Sequence, residues 1–401
     1  MKSIYQVLLL TFVALFFQNG LWACSMVSFT AEDGTVWVGN NEDYFDPHTY
    51  IWTEPAKRGK YGSVFFGFGN FFAQGGINEA GLVFDGFAME NKDVNNLEGK
   101  KNTNPADLIK EIMANCATIA EVKEICDRYK LDFLNQAQLM FVDSKGNSLI
   151  VEGDDYLEKG PGEVQFCTNF YQSDISNFSE ITCPRYLAGH TRYTQNEDAA
   201  QGKKLCTEVI SAMYSKEWWG GTQYTNVYDT RNKKIHLYLF HNFEEEVVLS
   251  VEDLLSEKRE AVRIESMFTD KEAYETFRDE YDLAVAQSEA LTESNDKAVL
   301  RKAAQDLASV EQSRLFGNQI LQAIEAFNTD EKYELSIAVI TPLLLHFDQS
   351  WELRAMKAKA HYEREEYELA MAAMDEAIEL DPENERLLEG KEKMLEEMEK
   401  E

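Results

Sequence analysis

Strand signals run from Cys24 to about Val251 and then stop. That break constrains the fold more than any other feature of the chain. Before it, "CSMVSFTA" and "TVWVGNN" flank "EDG", a hairpin pattern. "GSVFFGFGN" and "GLVFDGFAM" follow, with "GGINEAG" read as the turn between them. "NPADLIKEIMANC" and "TIAEVKEICDRY" have helical periodicity and clear starts, Asn104 before Pro105 and Thr118 three residues before Glu121. "AQLMFVDSKGNSLIVEGDD" predicts a hairpin, "EVQFCTNFY" a strand and "GKKLCTEVISAMYS" a helix. "QYTNVYDTRNKKIHLYLFHNFEEEVVLSV" predicts a meander. Strands, helices, then strands again predict an α+β layered domain with antiparallel sheets.

After residue 252 the chain is charged and helical. "KYELSIAVITPLLLHFDQS" aligns with "EYELAMAAMDEAIELDPEN" at an offset of 34 residues. That period and the closing "ELDP" resemble the tetratricopeptide (TPR) repeat. The expected organisation is a signal peptide over 1–23, a catalytic domain over 24–251, a helical linker over 252–316 and an all-α TPR-like region over 317–401. Two repeats rarely stand alone, so the tail is expected to self-associate, dock on a neighbour or bind a protein partner. The simpler alternative is a helical appendage with no binding role.

A formal net charge of -32 repels phosphate backbones and anionic membranes, so nucleic acid is not an expected partner. Hydrophobic residues make up 44% of the chain, enough for a sizeable core. "MKSIYQVLLLTFVALFF" combines a positive start with an apolar run too short to span a membrane, which predicts export to the periplasm or beyond. Export permits disulfides, and among the six cysteines Cys167 and Cys183 form the candidate pair. No C-x-x-C spacing occurs. Neither a metal nor a cofactor is expected.

Cys24 follows Ala23 at the end of the leader, where three chemistries place a cysteine: a disulfide half, a lipid-bearing residue or a nucleophile at a new N-terminus. "LWAC" fits a lipobox in part, although Trp22 is bulky for one, and a lipid-anchored scaffold is the reading it supports. A free α-amine titrates near ~7.7–8.0, so it can serve as the base of an N-terminal cysteine with no histidine. The hairpin carries Asp43 of "VGNNEDYF" back towards Cys24, where it can orient that amine.

Cys24 after a leader, "GNNEDY", "GGINEAGL", "QLMFVDSKGNSLIVE", "CTNF", "CPRYLAG" and the closing meander occur in the order seen in N-terminal-nucleophile (Ntn) amidohydrolases. The chain resembles the choloylglycine hydrolase, penicillin V acylase and isopenicillin N acyltransferase-like group over roughly 24–251. The resemblance implies an αββα sandwich and cleavage of a small-molecule, non-peptide amide through a thioester, or acyl transfer by the same nucleophile. It implies Cys24 as nucleophile, Asp43 as the acid on the amine, Asn169 as oxyanion donor and Arg185 as the active-site arginine. Asn40, Asn41 and Ala88 fall at supporting positions. Asn40 stands where the bile-salt enzymes carry arginine, and Ala88 where they carry asparagine, which argues against bile-salt specificity. Glu42 reads as structural.

Overall fold

A computed structural model of the protein describes residues 24–95, 97–196, 202–217, 220–256 and 261–398. The leader, 1–23, lies outside the described residues. The first turn sets the site's register. Asp33 accepts the Thr35 N–H at 2.8 Å, and Gly34 takes φ +78°, a conformation a side chain would strain. This pairs β1 (Ser25–Thr30) with β2 (Val36–Tyr44), Ser25 opposite Asn41.

The later strands are β3 (Thr49–Glu54), β4 (Ser63–Phe68), β5 (Ala73–Asn78), β6 (Val83–Ala88), β7 (Ala137–Val142), β8 (Ser148–Glu152), β9 (Asp155–Lys159), β10 (Gln165–Cys167), β11 (Lys216–Glu217), β12 (Gly220–Asp229), β13 (Lys234–Leu239), β14 (Asn242–Ser250) and β15 (Val262–Arg263). They form two antiparallel sheets, β10-β1-β2-β12-β13-β14 with β11 on β12, and β15-β3-β4-β5-β6-β7-β8-β9. Alternation sends one face of each sheet inward. Met26, Val38, Phe66, Val83, Met140 and Leu237 fill the layer between them.

The outer face of the eight-stranded sheet is covered by α1 (Pro105–Asn115) and α2 (Ile119–Cys126), through Phe65, Phe84, Leu108, Ile112 and Val122. Both helices start where the caps predict, on Asn104 and on the Thr118–Glu121 capping box. Two further helices are α3 (Pro184–Asn196) and α4 (Lys203–Ala212). On the other sheet, Val27, Phe29 and Trp37 meet Leu205, Val209 and Ile210 of α4. A Cβ at Gly39 would come within 3.0 Å of Ile210 Cβ, so glycine lets α4 sit close to β2. The order is helix, sheet, sheet, helix: the αββα sandwich.

Two expectations change. "GGIN" is strand β5 and not a turn: a Cβ at Gly76 would stand 2.4 Å from the Val64 carbonyl, so this glycine serves close approach of strands. No cysteine is in a disulfide. Cys167 points into the layer between the sheets, while Cys183 precedes α3 and accepts from Thr168 Oγ1 at 3.4 Å.

The chain divides into two compact units, one ending at Glu275 and the other beginning at Thr276. Residues 252–256 and 261–275 therefore belong to the same unit as the sandwich. After α5 (Val251–Ser256), β15 pairs with β3, and Ile264, Phe268 and Tyr274 enter the inter-sheet core. The helices that follow are α6 (Glu272–Glu293), α7 (Lys297–Leu307), α8 (Gly317–Thr329), α9 (Tyr333–Leu343), α10 (Trp351–Tyr362), α11 (Tyr367–Leu380) and α12 (Glu385–Met398). In the second unit, Ala284, Leu300, Ile324, Ile340 and Leu353 share one core, so 276–316 is packed helix and not linker. Its helices recur with a fixed period: α8, α10 and α12 begin at 317, 351 and 385, each 34 residues on, and α9 and α11 begin at 333 and 367. No helix among the described residues is long and apolar enough to cross a membrane.

Candidate active site

Register and alternation decide what surrounds Cys24. Ser25 opposite Asn41 and Met26 opposite Asn40 put Glu42 opposite Cys24. On β2 the inward stripe is Val36, Val38, Asn40, Glu42; the outward stripe is Trp37, Gly39, Asn41, Asp43. The Cys24 thiol therefore points between the sheets, and it reaches Glu42 Oε1 at 3.6 Å. Asp85 on β6 faces the same space between inward Val83 and Phe87. Asn40 Nδ2 donates to Asp85 Oδ2 at 2.5 Å.

These groups are deeply buried: Cys24 is 4% exposed, Glu42 2% and Asp85 0%. Burial pushes the Cys24 thiol well up, and Glu42, Asp85 and Asp43 push it further; the Asp43 backbone N–H works against them. Glu42 is raised to about 8, by burial first and then by Asp43. Asp85 is raised by burial and by Glu42. The thiol thus stays protonated unless a base takes its proton as it reacts.

Asp43 lies on the other face, beside the Cys24 main chain and not its thiol. Thr222 Oγ1 donates to Asp43 Oδ1 at 2.5 Å, and Arg185 Nη1 stands 3.6 Å from Oδ2. Burial raises Asp43 to about 7, against the pull of Arg185 and Thr222. Arg185 sits in the first turn of α3, where Pro184 opens the helix. Its Nη1 donates to the Cys24 carbonyl at 2.9 Å and to Ser25 Oγ at 2.8 Å, and its Nη2 donates to Asn169 Oδ1 at 2.9 Å. Asn169 Nδ2 donates to the Ala88 carbonyl at 2.8 Å, leaving its second N–H for another acceptor.

The structure thus gathers Cys24, Asp43, Asn169, Arg185, Ala88 and Asn40, residues from four parts of the sequence. Asn41 stands apart: its Nδ2 binds the Ile210 carbonyl at 2.9 Å, and its Oδ1 accepts from Thr225 Oγ1 at 2.7 Å, fastening α4 and β12 to β2. The sequence reading takes Glu42 as structural and does not single out Asp85, Ser25 or Thr222. The signal for two of them is an acid in an inward slot of an alternating strand, as in Val83–Asp85–Phe87. A cleft of about 670 Å³ lies elsewhere, between α2, the β7–β8 turn and β9, lined by Thr118, Lys123, Asp127, Asp143 and Glu158 among others; it contains none of the site residues.

No protein-family model matches the chain, and no curated protein matches it. Among solved structures, two variants of conjugated bile acid hydrolase from Clostridium perfringens are similar. Each is 15% identical; they cover 60% and 61% of this chain and 96% and 97% of their own, with TM-scores of 0.47 and 0.46. Penicillin V acylase from Agrobacterium tumefaciens is 17% identical, over 59% of this chain and 90% of its own, with a TM-score of 0.43. At these scores the likeness assigns no activity to this chain.

Proposed function

We propose that this chain is an exported amidohydrolase whose nucleophile is the Cys24 thiol, freed at a new N-terminus by cleavage after Ala23. One observation carries the reading: a single guanidinium, Arg185, holds the Cys24 main chain, the Ser25 hydroxyl, the Asn169 amide and the Asp43 carboxylate together. The ordered motifs of the sequence support the same reading.

The buried thiol needs a base close by, and the freed α-amine of Cys24 has a matching pKa of ~7.7–8.0. Asp43, beside the Cys24 main chain, orients that amine. As Sγ bonds to the amide carbonyl carbon, the thiol proton passes to the amine. The remaining Asn169 N–H stabilises the oxyanion. Collapse breaks the C–N bond, the proton goes to the leaving nitrogen, and a thioester remains. Water then attacks the thioester, releasing the acid and restoring the thiol.

The test uses protein beginning at Cys24, its N-terminus checked by mass spectrometry. It is incubated with N-acyl amino acids, acyl-homoserine lactones, penicillin V and conjugated bile salts, beside Cys24→Ala. Turnover of at least one substrate by wild type alone is expected. No turnover of any, or a diacylglyceryl group on Cys24, would overturn the reading.

A further inference from the structure

The space between the sheets holds more acid than the proposed chemistry uses. One ligand atom from each of Cys24, Glu42 and Asp85 lies within 4.8 Å of the others. Arg185 balances Asp43 on the far face, but neither Glu42 nor Asp85 forms an ion pair among the described residues. Two oxygens there make no hydrogen bond, Asp85 Oδ1 and Asn40 Oδ1, and their residues are at most 1% exposed. Buried polar atoms without partners are uncommon and ask for one.

We propose that Cys24 Sγ, Glu42 and Asp85 form a site for one divalent cation of the zinc class. A thiolate with two carboxylates suits a borderline cation and not magnesium or calcium, which prefer all-oxygen shells. Geometry agrees. Two ligands on a tetrahedral zinc, one S and one O, stand about 3.6 Å apart, and Cys24 Sγ is 3.6 Å from Glu42 Oε1. Asn40 Nδ2 fixes one Asp85 oxygen and leaves the other for the metal, the usual task of an outer partner. Binding displaces the thiol proton, and any on the two carboxyls, to solvent.

The site itself does not depend on catalysis. Its consequence rests on Cys24 being the nucleophile: zinc takes the sulfur electron pair that attacks the amide and holds the enzyme off.

The experiment is done on the full chain, stripped with a chelator, loaded with zinc chloride and gel-filtered. About one zinc per chain is expected, falling at least tenfold in Cys24→Ser and in Asp85→Asn; folding of each variant is checked by circular dichroism. Cobalt(II) gives a second readout on unmutated protein, a near-ultraviolet sulfur-to-cobalt charge-transfer band. A third is slower alkylation of Cys24 by iodoacetamide with zinc present, located by mass spectrometry. Zinc contents equal in wild type and folded Cys24→Ser, or cobalt binding without the sulfur band, would overturn the site. None of these readouts uses turnover, so an enzyme that binds zinc but stays inactive after the metal is stripped counts against the amidase reading alone.

Discussion

Arg185 Nη1 donates to the carbonyl oxygen of Cys24 at 2.9 Å, joining a helix start to the residue just before β1. The same side chain is only 16% exposed and stands 3.6 Å from buried Asp43. Lysine keeps the charge but loses the planar fork that donates to three hydrogen-bond partners. Arg185→Lys should lose about 10²-fold in kcat/KM, the scale of a small misplacement of reacting groups. Arg185→Ala should also cost about 1–3 kcal/mol of stability, because the buried groups it donates to lose their partner. Steady-state kinetics and urea unfolding measure the two effects. An Arg185→Lys enzyme as active as wild type would remove the arginine from the site.

Asn169 has one N–H committed to Ala88 and its Oδ1 committed to Arg185. Asn169→Ala should lower kcat by ~10²–10³ with a small change in KM, the pattern of an oxyanion donor. A rise in KM with kcat unchanged would assign Asn169 to substrate binding instead.

On the proposed mechanism the α-amine can act as a base only after the Ala23–Cys24 bond is cut. A chain that keeps Ala23 should be inactive, its Cys24 thiol raised by burial and with no amine to take the proton. Removing the leader with a specific protease should restore turnover in step with the appearance of the Cys24 terminus in mass spectra. Full activity in the uncut chain would exclude the amine as base.

Glu246 gives a pH test away from the site. Burial alone would raise its carboxyl, but the Lys203 ammonium and the Tyr238 hydroxyl outweigh that and hold it below the usual 4.5. Lys203 Nζ reaches it at 2.8 Å. A carboxyl with a lowered folded pKa stabilises above its unfolded pKa and loses that stability as pH falls through the folded one. At pH 7, Glu246→Gln should be less stable than wild type by no more than about 1 kcal/mol, since solvent screens the pair. The gap should shrink as pH falls through the lowered folded pKa. Urea midpoints at neutral and at acid pH measure it, and a gap that widens on acidification would reverse the sign.

The layers of the fold were legible because helix caps and strand alternation are local. Asn104 and Thr118 start helices where their side chains predict. The 34-residue spacing of helix starts follows the sequence repeat. The place of Glu42 is legible too: a turn that pairs Thr30 with Val36 also sets Cys24 opposite Glu42. What the sequence hides is non-local. Asp85 meets Asn40 across the two sheets, and Arg185 meets Cys24 over 161 positions. Val262 and Tyr274 return to the sandwich after a composition change that reads as a boundary.

The helical repeat carries a strain that can be removed. Glu331 and Glu365, 34 positions apart, take φ +61° and +62° in equivalent turns before α9 and α11. Both are exposed. The left-handed region costs a non-glycine residue of order 1 kcal/mol or more, while glycine enters it freely. Glycine also loses more chain entropy on folding, which offsets part of the gain. Glu331→Gly and Glu365→Gly should therefore each stabilise the protein, by about 0.5–1 kcal/mol. Glu363 is the control: it caps α10 at φ -66°, where glycine gains nothing, so Glu363→Gly should destabilise. Urea midpoints for the three variants decide the matter. If all three shift downward together, the equivalent turns are not strained.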